Sequence, residues 1–123
     1  MSAFSPKNAV IWIEIPVTDL AKSKAFYGTV LQNEMMDQAD GPAPTVVFQK
    51  SEAGGIAGHL YVGKPGAPGT GSTVHLAAPL PLEDSLARVK SSGGKVVSDI
   101  VTIPNGSFAY CLDLDGNSFG LFV

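Results

Sequence analysis

The sequence predicts an α+β fold made of two β-α-β-β-β modules in tandem, and three observations carry that prediction. Gly55-Ile56-Ala57-Gly58-His59-Leu60-Tyr61-Val62 returns at the end of the chain as Gly116-Asn117-Ser118-Phe119-Gly120-Leu121-Phe122-Val123, an offset of 116 − 55 = 61. Ala9–Glu14 aligns with Ser72–Ala77 at an offset of 63, and Asp19–Ala25 aligns with Pro81–Ala87 at 62. Between the two halves lies Gly63–Ser72, which is almost entirely turn formers. A chain of 123 residues is one domain by length. The repeat therefore lies inside one domain, with modules at about 8–62 and 72–123 and a linker at 63–71.

Each element follows from local pattern. Val10–Val17 alternates as a strand does, with Trp12 and Glu14 on one face and Ile11, Ile13 and Ile15 on the other. Pro16 removes a backbone donor and puts this strand at an edge or at its end. Thr18-Asp19 supplies the side-chain acceptor that opens a helix. Leu20, Lys24, Tyr27 and Leu31 continue it at helical spacing, and Gly28 weakens its last turns. A strand near 33–38, the turn cluster Asp40–Pro44, a β-branched strand at 45–49 and a strand at 56–62 complete the first module.

The second module repeats the order. A strand at 73–78 leads through Pro79-Leu80-Pro81 into a helix with Leu82, Leu86 and Val89 on one face. Glu83 and Asp84 occupy its first turn, where the macrodipole favours acids, and Gly93-Gly94 supplies a left-handed stop. Strands at 95–98, 107–113 and 118–123 follow, the last two joined by a turn at Asp115-Gly116-Asn117. Four strands with one helix form an open, curved sheet. Two such mixed sheets leave a cavity between them where a ligand would sit.

Composition bounds the function. Net charge is −3, which offers nothing to nucleic acid phosphates or anionic lipid. No stretch is long and apolar enough to span a bilayer, and Met1–Asn8 lacks a charged-then-apolar leader pattern. A single Cys111 excludes an internal disulfide and fits a reducing compartment. These features predict a cytoplasmic protein with neither a nucleic acid nor a membrane partner. Charged residues are only 15% against 45% hydrophobic, which predicts that a second copy covers part of the surface as a homodimer.

The β-α-β-β-β duplication resembles the vicinal oxygen chelate superfamily, which includes glyoxalase I, bleomycin-resistance proteins and extradiol dioxygenases. The residues carrying the resemblance are Val17-Thr18-Asp19-Leu20 with Ala25-Phe26-Tyr27, then Val74-His75-Leu76, Ser91–Val97, and the closing Asp113–Leu121. It covers nearly the whole chain and implies pairing of modules across subunits. In metal-using members the ligands sit on the first and last strands of each module. The alignment places Trp12, His59, His75 and Gly120 there. Trp12 carries only an N–H donor and Gly120 has no side chain, so two of the four positions can ligate a cation.

Two functional readings follow. In one, Trp12, Glu14, His59, Tyr61, His75 and Phe122 line a cavity that holds a small planar or hydrophobic molecule, without a complete metal site or other cofactor. In the other, His59, His75 and Glu14 form a two-histidine, one-carboxylate set for a divalent metal, with the lyase, isomerase or dioxygenase chemistry of the superfamily. The first is preferred, because Glu14 must reach back one strand step. Neither reading assigns a catalytic residue. Tyr110 is a further source of a hydroxyl. Cys111 reads as a buried, inert thiol. Asp113, Asp115 and Asn117 read as a turn, since the closing glutamate of a calcium loop is missing.

Overall fold

The computed structural model describes residues 3–39 and 41–123. Asp40 of the first turn cluster and the leading Met1-Ser2 lie outside the described residues. The first module contains β1 (Ile13–Val17), α1 (Leu20–Leu31), β2 (Met36–Gln38), β3 (Thr45–Val47) and β4 (Gly58–Val62). The second contains β5 (Val74–Ala77), α2 (Leu82–Ser91), β6 (Lys95–Val96), β7 (Val101–Ile103), β8 (Gly106–Leu112) and β9 (Ser118–Phe122). The first sheet runs β1-β4-β3-β2. The second runs β5-β9-β8-β6, with β7 added along β8. In both, the first strand pairs in parallel with the last and stands at the sheet edge. Pro16 lies in that edge strand, where its missing N–H costs no ladder bond.

The helices start and stop where their residues dictate. Asp19 accepts a hydrogen bond from the Lys22 backbone N–H at 3.0 Å, and Gln32 closes α1 in the left-handed region. Glu83 and Asp84 begin α2, and Arg88 and Lys90 end it, each sign matching the dipole. Gly93 follows at φ 95°, the conformation glycine adopts without steric cost.

One apolar core serves both modules. Ile15, Val17, Val46 and Leu60 point to the helix side of the first sheet, as Cys111, Phe119 and Leu121 do in the second. Phe26, Tyr27, Val30, Leu31, Leu82 and Val89 fill the space between from the helices. Phe26 and Tyr27 meet Phe119 edge to face at 6.0 and 5.4 Å, across the module boundary. Arg88 of α2 donates from Nε to the Val30 carbonyl at 3.2 Å, tying the helices together.

A polar knot adds to this. Buried Asp113 accepts from Tyr27 Oη at 2.6 Å and from the backbone N–H groups of Asp115 and Asn117, each at 2.9 Å. Asn117 Nδ2 donates both to Asp113 Oδ2 and to the Pro16 carbonyl in β1. Thr18 Oγ1 donates to Asp115 at 2.6 Å. The 113–117 segment is thus a turn whose oxygens are engaged by protein donors. It holds the exit of β1 and the start of α1 in place.

Several details depart from the sequence expectations. The first strand begins at Ile13, not Val10, because β4 offers ladder partners only from Gly58 onward. The register of both modules is constant: Ile13 pairs Gly58 and Val74 pairs Phe119, so 74 − 13 = 119 − 58 = 61. His75 is therefore equivalent to Glu14, not to Trp12. The second module also has an extra strand, β7, turned back by Pro104-Asn105 onto β8. Strands expected at 33–38, 45–49 and 95–98 are shorter. The 63–73 segment carries no strand or helix, and Gly69 N–H donates to the Gly116 carbonyl at 2.9 Å.

Candidate functional site

Strand alternation gives each sheet a second face, turned away from the helices and the core. On the first sheet that face carries Glu14, Thr45, His59 and Tyr61. Glu14 and His59 are direct register partners on parallel neighbours. His59 Nε2 lies 3.2 Å from Glu14 Oε1, and Trp12 Nε1 donates a hydrogen bond to His59 Nδ1 at 2.9 Å. The indole thus fixes the imidazole ring from one side while the carboxylate faces it from the other. Glu14, Thr45, His59 and Tyr61, with Gln38 and Gly41–Ala43, line a cleft of about 570 Å³.

On the second sheet the corresponding face is aromatic. His75 pairs with Gly120, which also pairs with Tyr110, and Phe108 pairs with Phe122. The His75 ring centroid lies 5.0 Å from Phe108, 5.7 Å from Tyr110 and 6.0 Å from Phe122. Phe108 and Phe122 stack within 7° of parallel. Gly120 makes this possible: a Cβ there would fall 2.2 Å from His75 Nδ1, so the imidazole occupies the space of the missing side chain. His75 and Tyr110 remain exposed, and Phe108 and Phe122 half-buried. Phe108 was not singled out from sequence. Period-two spacing from Tyr110 is the signal that identifies it.

All six expected lining residues are accounted for. Glu14, His59 and Tyr61 share one cleft, with Trp12 attached through His59, while His75 and Phe122 lie on the other sheet. His75 borders a different cleft of about 530 Å³ at the seam between modules, with Ile13, Phe48, Ile56 and Leu76. Neither of these two clefts is lined by both histidines. The sequence leaves open whether the cavity forms within one chain or between two, and within the chain the two histidines border separate clefts. The two modules meet through their core faces, so their outer faces do not close on each other.

The remaining candidates are structural. Cys111 is fully buried, and desolvation pushes its thiol up to about 11, away from the reactive thiolate. Tyr27 is also buried, and its phenol is raised well above 10, first by burial and then by the Asp113 carboxylate it donates to.

An α+β chain of two modules in the β-α-β-β-β order, the second with one added strand, each with an open face carrying a histidine, defines a class built on paired small modules. The sequence profile of the Glyoxalase/Bleomycin resistance protein/Dioxygenase superfamily matches residues 9–121, and the chain belongs to that superfamily. No curated protein matches it. Among solved structures, a glyoxalase/bleomycin resistance protein from Albidiferax ferrireducens T118 is similar at a TM-score of 0.70 and 21% identity, covering 94% of this chain and 98% of that one. One from Streptomyces sp. CB03234 is similar at a TM-score of 0.67 and 23% identity, covering 92% and 98%. The fosfomycin resistance protein FosX of Listeria monocytogenes is similar at a TM-score of 0.71 and 17% identity, covering 96% and 91%.

Superfamily members often use a divalent metal, so the fit of these residues matters. In this chain the lone pair of His59 Nδ1 is engaged by the Trp12 N–H, and Gly120 offers no ligand. Among the described residues no three His, Cys, Asp or Glu side chains come together as a metal site. Glu14, His59 and His75 are the donors at the family positions, and a single chain divides them between two separate faces, so it does not by itself gather them around a cation. Among the described residues no helix is long and apolar enough to cross a membrane.

Proposed function

We propose that this protein binds a small, planar or hydrophobic molecule on the open sheet faces, and that it does so without a resident metal. The observation that carries the reading is the aromatic patch of His75, Phe108, Tyr110 and Phe122 around Gly120, which stays partly exposed. Stacking a planar ligand on such rings contributes about 0.5–1.5 kcal/mol per aromatic contact beyond the area buried. A second copy completes the cavity, bringing the polar face of one module over the aromatic face of the partner, in the cytoplasm of the cell. The low charged fraction supports such pairing.

Size-exclusion chromatography with light scattering at micromolar concentration should give twice the chain mass. Elemental analysis of protein purified without a histidine tag should find no stoichiometric metal. His75→Ala should weaken binding of a planar aromatic probe without changing metal content.

One observation favours a second reading, a metal-dependent lyase, isomerase or dioxygenase. Glu14 stands at the repeat-equivalent position of His75 and beside His59, so a carboxylate occupies the first-strand ligand position without reaching back. One tightly held metal per chain, lost in both His75→Ala and Glu14→Gln, would establish that reading and remove the first.

A further inference from the structure

The cleft on the first sheet has a feature that the binding reading does not by itself require. Trp12 precedes β1, is 43% exposed and contributes nothing to the core, yet its indole N–H is aimed at His59 Nδ1 at 2.9 Å. An indole nitrogen can only donate. His59 Nδ1 must therefore accept, and the proton of the neutral imidazole resides on Nε2. That nitrogen faces Glu14 Oε1 at 3.2 Å. The Glu14 side chain is otherwise exposed to the cleft, leaving its second oxygen as an acceptor toward a ligand. Among the described lining residues Glu14 is the only acid, and no lysine or arginine accompanies it.

Building on the binding reading, we infer that Trp12 is a positioning residue that holds His59 in its Nε2–H form against Glu14, and that this cleft takes a hydrogen-bond-donating head group, cationic or neutral, and rejects anions. An anion placed beside Glu14 meets a like charge and finds no cation to offset it. A protonated amine there gains a charge-assisted hydrogen bond to the free carboxylate oxygen. The pairing of Trp12, His59 and Glu14 thus turns a strand position able to ligate a cation directly into an acceptor for an organic donor.

The test uses two probes on one ring frame, 9-aminoacridine as a planar cation and acridine-9-carboxylate as a planar anion, titrated calorimetrically into the full chain. The amine should bind at least about tenfold more tightly, and Glu14→Gln should shrink that ratio to about threefold or less. Trp12→Phe keeps a ring but loses the donor. With only two histidines in the chain, nitrogen-detected correlation spectra assign His59 once His75→Ala is recorded. Wild type should show a pyridine-type Nδ1 and a protonated Nε2, and Trp12→Phe should produce a mixture with an unchanged circular dichroism spectrum. Equal or tighter binding of the carboxylate overturns the head-group assignment while leaving the binding reading intact. An unchanged His59 tautomer in Trp12→Phe overturns the positioning role. If neither acridine binds, the binding reading falls and the head-group assignment with it.

Discussion

Tyr27→Phe isolates the hydrogen bond that joins the two modules through the core. The substitution removes one oxygen and keeps the ring, so the edge-to-face contacts with Phe26, Phe48 and Phe119 remain. What is lost is the 2.6 Å donation to Asp113. A hydrogen bond to a charged acceptor contributes about 1.5–3 kcal/mol. Asp113 retains three donors, from Asp115 and Asn117, which places the loss near the lower end, about 2 kcal/mol. With a urea dependence of about 2 kcal/mol per molar for a chain of this size, the unfolding midpoint at pH 7 should fall by about 1 M with an unchanged slope.

The pH dependence gives an independent check. Tyr27 is raised in the folded state, so the folded protein holds its proton where the unfolded chain releases it. That contribution is complete below pH 10 and is lost as pH rises above it. Cys111, raised to about 11, acts in the same direction from about pH 9 upward. Wild-type stability should decline through this range, and Tyr27→Phe should decline less steeply above pH 10. A midpoint shift below about 0.3 M, or an alkaline slope equal to wild type, would refute the reasoning.

Three further outcomes follow from single contacts. Gly120→Ala places a methyl against the His75 ring, so it should displace the imidazole, cost about 1–3 kcal/mol in urea unfolding and weaken aromatic-probe binding. Asn117→Ala strands the Pro16 carbonyl and removes a donor to Asp113. It should lower stability by about 1–2 kcal/mol, read from the same transition. Cys111 should resist a disulfide exchange reagent in native buffer and react fully in 8 M urea (about the usual unfolding limit), because only opening exposes it. Rapid native labelling would contradict its burial.

Much of this was legible in the sequence because local chemistry decided it. Asp19 caps α1, Gly93 terminates α2, and Tyr61 and Phe122 face the same way as His59 and Gly120, as period two requires. The register of the first module was not legible, because Ala9–Trp12 carries on the apolar alternation beyond the point where ladder partners exist. Close approach of Ile13 and Gly58 sets the register instead. A Cβ on Gly58 would fall 2.3 Å from the Ile13 carbonyl oxygen. The covering of the faces was equally hidden. Both faces of the second sheet are rich in apolar side chains, and the pattern shows two faces without showing which one meets the other module. The β7 strand was missed although Pro104-Asn105-Gly106 marks its turn.

The opposition of core face and open face has a consequence for how the protein tolerates change. Ile15, Leu60, Phe119 and Leu121 carry the fold, while Glu14, His59, Tyr61 and Phe122 alternate with them on the same strands. Substitutions at the second set open no interior void, so chemistry on the outer face can be rewritten at little thermodynamic penalty. The strands act as a chassis with interchangeable fittings. Glycine at position 120 is the exception, where the fitting and the neighbouring ring share one volume. A change of specificity in this scaffold would therefore come easily at Glu14 or Tyr61 and would require a compensating change at His75 if it began at Gly120.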